Sequence, residues 1–336
     1  MPKNKVSVVI PVFNRADLVS DAIKSAINQS YENIEIIVVD DGSTDLTGMV
    51  VQQFSAVRYF WQENRGQGAA RNKGILKSTG DFIAFLDSDD LWLPEKISRQ
   101  VEFLHKNKQF GMVYSDCEYF EISESGNPIK KKVRVNPHQG WISKELFLEN
   151  FIASCTPLVR REVFEECGVF NESALLRCRE DWEMWLRIAS RFQIGYMPET
   201  LAKYRFHSEN STRSEDLKLV FKSYGEVIKS AINFAPECFS LYTNLAQASR
   251  YFKIGKGFAT LDEIHSTRRF FRKAILYNPF EPDYFLSFLA TITRTIRDSL
   301  EKLIPLIKNA KAKPSLKSSY FFKFKPIVQR LMRLFS

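Results

Sequence analysis

The chain has 336 residues and a mass of 39.0 kDa, enough for one large domain with an appendage or for two ordinary domains, so a peptide-scale or disulfide-stapled fold is excluded. Hydrophobic residues make up 44% and charged residues 26%, ordinary globular usage that excludes disorder over most of the chain. The formal charge of +9 is lodged at one end: nine basic residues and no acidic one fall between Lys302 and Ser336, and the rest is neutral. A nucleic-acid partner for the main body is therefore not implied, and any contact with an anionic surface belongs first to the tail.

Met1 to Lys5 leads straight into a strand-like run without a signal-peptide pattern, and no stretch has the roughly 20 apolar residues that a spanning helix needs. A cytoplasmic protein is expected. Cys117, Cys155, Cys167, Cys178 and Cys238 are irregularly spaced with no C-x-x-C, which suggests neither a zinc cage nor a redox pair.

Val6 to Ile10 is a β-branched run, followed by Leu18, Val19, Ala22, Ile23, Ala26 and Ile27 at helical spacing. The alternation repeats: strand Ile34 to Val39, helix Asp45 to Phe54, strand Val57 to Trp61, helix Gly68 to Lys77, strand Phe82 to Leu86. Strands apolar on both faces and interleaved with helices predict a parallel sheet covered on both sides. In such sheets ligands bind beyond the carboxyl ends of the strands, so Asn14, Asp40-Asp41 and Asp87-Ser88-Asp89-Asp90 should converge on one crevice. From about Gly111 to His207 the pattern is mixed, with a helix over Glu180 to Arg191. After Ser214 it turns helical, over Leu217 to Ile232, Ser240 to Phe252, Thr267 to Leu276 and Asp283 to Leu303.

Three carboxylates within four residues, Asp87, Asp89 and Asp90, repel unless a cation offsets them. Mg²⁺ or Mn²⁺, held by one or two carboxylates and substrate phosphates, fits that composition, although the acids could instead cap the helix that follows. Asp40-Asp41-Gly42-Ser43-Thr44-Asp45 could likewise be a turn and helix cap, or could offer a carboxylate to the N–H of a nucleobase. Gly66-Gln67-Gly68 fails the dinucleotide fingerprint because it follows the third strand and Arg71 stands where the third glycine belongs. Small residues entering a helix with Arg71 and Lys73 still suit an anion.

In their order and spacing, Val8-Val9-Ile10-Pro11-Val12-Phe13-Asn14, Val39 to Asp45, Gly68-Ala69-Ala70-Arg71-Asn72-Lys73-Gly74 and Phe85-Leu86-Asp87-Ser88-Asp89-Asp90 resemble glycosyltransferase family 2. Val159 to Phe164, Glu180 to Arg187 and Tyr204-Arg205-Phe206-His207 resemble its acceptor-side motifs, and the likeness covers roughly residues 4–212. It implies an α/β fold of GT-A type, a mainly parallel sheet flanked by helices and followed by a mostly helical C-terminal region. The expected parts are a glycosyltransferase domain at 1–212, a helical region at 213–303 and a basic amphipathic tail at 304–336.

The resemblance also implies roles. Pro11, Phe13 and Asn14 line the nucleoside pocket, Asp41 meets the base and Arg71 lies near the nucleotide. Asp89 and Asp90 carry a divalent metal, Mn²⁺ or Mg²⁺, with Asp87 on the sugar side. Asp181 is the general base of an inverting transfer from a nucleotide sugar, UDP-linked by the family pattern, to a glycan or lipid-linked acceptor, with Glu180 its rival. His207, and behind it Arg205, could meet the diphosphate or metal. A non-catalytic scaffold that keeps the fold stands as the alternative, and a nucleotidyltransferase would more typically place a glycine- and lysine-rich loop after the first strand. At the end of the chain, Ile327, Val328, Leu331, Met332 and Phe335 fall on one helical face with Arg330 and Arg333 off it, a pattern suited to an anionic membrane surface or to docking on the protein itself.

Overall fold

The structure, a computed structural model, describes residues 4–122, 128–132, 137–206 and 216–292. His207 and the 304–336 tail lie outside the described residues. The order is β1 (Val6–Val12), α1 (Val19–Ile27), β2 (Ile34–Asp40), α2 (Thr47–Val51), β3 (Val57–Trp61), α3 (Gln67–Lys77), β4 (Phe82–Phe85), β5 (Leu91–Trp92), α4 (Lys96–Lys106), β6 (Phe110–Ile122) and β7 (Pro128–Lys132). Then come α5 (Ser143–Leu148), β8 (Leu158–Arg160), α6 (Arg161–Cys167), α7 (Glu180–Arg191), β9 (Gln193–Phe206), α8 (Leu217–Phe234), α9 (Pro236–Phe239), α10 (Thr243–Thr260) and α11 (Ile264–Tyr277). Residues 282–292 are helical as well.

The strands form one sheet in the order β3-β2-β1-β4-β8-β6-β9-β5, with β7 paired to β6. The first four are parallel, as the interleaved pattern predicts. β8 runs antiparallel to β4 and to β6, β6 and β9 pair in parallel, and β5 closes the row antiparallel to β9. Full burial on both faces explains why β1 is apolar at every position but Ser7 rather than alternating. Two apolar clusters cover the faces. One gathers Val8, Ile10, Ala84 and Leu158 with α1 and α4. The other gathers Val9, Phe85, Tyr114 and Val159 with Trp182, Trp185 and Ile188 of α7.

Gly74 shows how closely α3 lies on β1: a Cβ there would stand 2.2 Å from Val9 Cγ1. Gly74→Ala should recover up to about 1 kcal/mol of helix propensity but overpack the contact at about 1–3 kcal/mol or more. A net loss of stability is therefore expected in urea unfolding, and an unchanged or raised midpoint would show that α3 can lift from the sheet without cost.

The chain divides into compact units at Met1–Ala246 and Gln247–Ser336. In the first, Val227, Ile228 and Ala231 of α8 join the cluster under α7, which is why this unit runs on past residue 212. In the second, Phe252 of α10 packs on Phe271 of α11 at 5.4 Å between ring centroids and on Tyr284 at 4.6 Å. Among the described residues no helix is long and apolar enough to cross a membrane.

Candidate active site

The strand ends carry the polar residues to one edge, where the loops bind each other. Asn14 follows β1 in the left-handed region, at φ 49°. Its backbone N–H donates to Ser43 Oγ at 2.9 Å, and its Oδ1 accepts from the Thr44 amide at 2.8 Å. Asp45 Oδ2 accepts from the Ala16 amide at 3.2 Å and Oδ1 from the Thr47 amide at 2.9 Å, so Asp45 joins the two loops at the start of α2. Gly42 has φ 85°, and a Cβ there would stand 2.9 Å from the Asn64 nitrogen, so only glycine fits without strain. Pro11 is buried in β1 opposite Val39, whereas Phe13 keeps 39% of its surface exposed on the rim.

Asp40 and Asp41 are both buried and serve different partners. Asp40 accepts from the Ser43 amide and from the Tyr59 hydroxyl, each at 2.8 Å. Asp41 accepts from Gln62 Nε2 at 2.8 Å, the Arg65 amide at 3.0 Å and the Gly66 amide at 2.8 Å. Three of the roughly four lone-pair positions of that carboxylate thus hold the segment leading into α3, and about one is left for a ligand.

Arg71 of α3 joins the acidic loop to α7. Its side chain is 2% exposed, with Nη2 donating to Asp87 Oδ1 at 2.7 Å and Nη1 to Glu180 Oε1 at 2.6 Å. Burial opposes its charge, but Asp87 and Glu180, then Asp181, hold the guanidinium protonated above even its ordinary range. Asp87 also accepts from Gln67 Nε2 at 2.8 Å and from Ser154 Oγ at 2.5 Å, so α3 and the segment before β8 together fix one carboxylate.

Asp181, next along α7, is only half-buried. Its Oδ1 accepts from the Trp182 amide at 2.6 Å. Burial first, and then the charge of Glu180, pushes its carboxyl up to about 7, against the pull of Arg71 and of that amide. Glu180 is buried and committed to Arg71. The structure thus separates two adjacent acids, one a buried ion-pair partner and one half-buried with a raised proton affinity.

Arg205 of β9 is bound to the acidic loop. Its backbone N–H donates to Asp90 Oδ1 at 2.9 Å, its Nε to the Asp89 carbonyl at 2.8 Å, and its guanidinium lies 4.8 Å from the Phe120 ring centroid. The motif marks Arg205 but not its clamp on the acidic loop, and Ser154 carries no signal in the sequence, because it lies in a loop without a clear period. Asp90 is 1% exposed, and its Oδ2 has no hydrogen-bond partner. Burial, then the charges of Asp89 and Asp87, raise its carboxyl well above the usual range. Asp89 is half-buried.

These carboxylates fit a hard divalent cation. No cluster of three or more His, Cys, Asp or Glu side chains that could cage a metal occurs among the described residues, so the protein's share would be one or two oxygens, as at nucleotide-bound Mg²⁺ sites. Asp89 and the unpartnered Oδ2 of Asp90 are the oxygens in question.

Comparison with known proteins agrees with this geometry. The model of glycosyl transferase family 2 matches residues 7–168. The putative teichuronic acid biosynthesis glycosyltransferase TuaG of Bacillus subtilis is 31% identical over 257 residues, which cover 74% of this chain and 98% of that protein. The chain belongs to glycosyl transferase family 2. An uncharacterized glycosyltransferase of Rickettsia conorii is 36% identical over 65% of this chain, but the match spans only 38% of that longer protein. Among solved structures, S. aureus TarS 1-349 in complex with UDP-GlcNAc superposes with a TM-score of 0.62 at 16% identity, covering 89% of this chain and 92% of that one. The mannosyltransferase PcManGT from Pyrobaculum calidifontis, in complex with GDP-Man and Mn2+, gives 0.54 at 18% identity over 88% of each chain. The family 2 chain therefore has the GT-A fold with the helical C-terminal region implied by its motifs, but its sheet is mixed rather than mainly parallel: among the described strands four pairings are parallel and four antiparallel, because β5, β7 and β8 enter against their neighbours.

Proposed function

We propose that this family 2 protein is an inverting glycosyltransferase that moves a sugar from a nucleoside diphosphate sugar, a uridine diphosphate sugar in the first instance, to a hydroxyl of a glycan or lipid-linked acceptor in surface-polysaccharide synthesis. The observation that carries the proposal is Asp181: a carboxyl held near neutrality beside the Arg71 bridge, on the other side of that bridge from the Asp87–Asp90 loop. Sugar transfer needs two separated acidic sites, one for the departing diphosphate and one for the acceptor proton. TuaG, by its name, belongs to teichuronic acid synthesis, and TarS binds UDP-GlcNAc, which supports the choice of donor and pathway class.

In this reading Pro11, Phe13 and Asn14 border the nucleoside, and the remaining acceptor position of Asp41 takes its base. Arg71 fixes Asp87 toward the sugar, and Arg205 holds the loop that presents Asp89 and Asp90. A divalent ion bound there supplies charge stabilisation to the departing diphosphate. Asp181 takes the proton of the attacking hydroxyl, while Glu180 stays paired. The basic amphipathic pattern at residues 326–335 supports attachment to the cytosolic face of a membrane, where a lipid-linked acceptor would be met, and His207 adds a contact to the diphosphate.

Thermal denaturation with UDP tests the donor half of the proposal. Stabilisation by UDP is expected with Mn²⁺ and is expected to vanish with excess chelator or in Asp89→Asn, since a ligand that binds the folded state stabilises it by an amount that grows with the logarithm of ligand over dissociation constant. Equal stabilisation in excess chelator would sink the metal-dependent reading.

A further inference from the structure

β4 and β6 both run antiparallel to β8, and Ala84, Leu158 and Val113 lie on one register line across the three. β4 and β6 stand two strand spacings, about 9.5 Å, apart, and three residues beyond that line come Asp87 after the one and Asp116 on the other. Phe85 and Tyr114 belong to the apolar cluster under α7, whereas Ala84 and Val113 belong to the opposite one, so Tyr114 faces α7, and the Arg71 bridge to Glu180 turns Asp87 to the same side. The register of β6 shifts between Ser115 and Asp116. The side of the sheet on which Asp116 lies is nonetheless fixed by its partner, because Tyr196 of β9 sits opposite Tyr114 and donates its hydroxyl to Asp116 Oδ1 at 2.8 Å.

The segment that leads into β8 runs between the ends of β4 and β6. Phe151 packs on Tyr114 at 6.0 Å between centroids, His138 packs on Phe151 at 5.1 Å, and Ser154 reaches Asp87. From Phe151 to Ser154 an extended chain spans at most about 10 Å, which keeps this aromatic group beside the transfer centre. Asp116, His138, Phe151 and Tyr196 are each half-buried, and none serves the donor machinery described above.

Half-exposed aromatic rings beside an anchored carboxylate suit one ligand chemistry. A pyranose offers an apolar C–H face to be covered and hydroxyls that donate well to a carboxylate. We propose that Asp116, Tyr196, Phe151 and His138 form a saccharide subsite that holds a pyranose ring of the acceptor on the α7 side of the transfer centre. The proposal rests on the glycosyl-transfer reading and names the acceptor class for it.

The test uses the full chain and two probes. Saturation-transfer NMR with the methyl glycosides of glucose, galactose, mannose and N-acetylglucosamine reads the subsite, and thermal stabilisation by UDP with Mn²⁺ reads the donor crevice. Wild type should bind at least one of the glycosides. Asp116→Asn and Tyr196→Phe, both nearly isosteric, should each weaken that binding by about tenfold or more, the range for a hydrogen bond to a charged group. UDP stabilisation should stay as in wild type. Equal glycoside binding by wild type and variants, or binding of none by wild type, would overturn the subsite. Loss of UDP and glycoside binding together in the variants would also overturn it, by showing that the pair merely props the donor crevice. Absence of UDP stabilisation in every protein, with glycoside binding still dependent on Asp116, would count against the donor reading and keep the subsite.

Discussion

Asp181→Asn is expected to lower the transfer rate by roughly 10²- to 10⁴-fold, the usual worth of a general base, with UDP affinity little changed. The substitution keeps the size of the side chain, leaves the Arg71 bridge in place and removes only the group that takes the proton. Because the carboxyl is pushed up to about 7, wild-type kcat/KM should rise with pH up to that value and flatten above it, and the variant should lack that limb. Stability should move the other way. Between the ordinary value of 3.8 and about 7 the folded protein holds a proton that the unfolded chain has lost, so wild type loses stability as pH rises through this window. Asp181→Asn escapes that loss, and its advantage in denaturation should grow from about pH 4 to pH 7. If Asp181→Asn transfers normally while Glu180→Gln does not, the two acids have been assigned in reverse.

Arg71→Met is expected to be the most destabilising single change in the crevice. It would leave Glu180, already with one unpartnered buried oxygen, and Asp87 as acids without their cation. Breaking a buried pair in this way costs about 3–5 kcal/mol. Arg71→Lys should recover only part, because a single ammonium cannot present two divergent N–H donors to two carboxylates. Urea unfolding reads both. A loss below about 1 kcal/mol for Arg71→Met would mean that the bridge is not what joins α3, the acidic loop and α7.

Legibility in the sequence followed burial pattern. β3 runs Val57–Trp61 and α7 runs Glu180–Arg191, as their periodicity predicts, and the helix after β2 shortened to Thr47–Val51 because Asp45 ties its start to Ala16. The paired strands β6 and β9 were not legible. Their register shifts around Asp116, and they mix buried, half-buried and charged positions, so neither a strand nor a helix period stands out. The acidic residues of the crevice could be named from motifs, but their partners could not. That Asp41 spends its oxygens on Gln62, Arg65 and Gly66, or that Ser154 and Arg205 pin the acidic loop, depends on contacts between segments 21 to 116 residues apart.

The most direct measurement is release of nucleoside diphosphate from a panel of nucleotide sugars by wild type, Asp89→Asn and Asp181→Asn in Mn²⁺. The account predicts turnover of at least one sugar nucleotide by wild type, loss of turnover in both variants, and retained UDP stabilisation in Asp181→Asn alone. Turnover of none by wild type, or undiminished turnover in both variants, would contradict it.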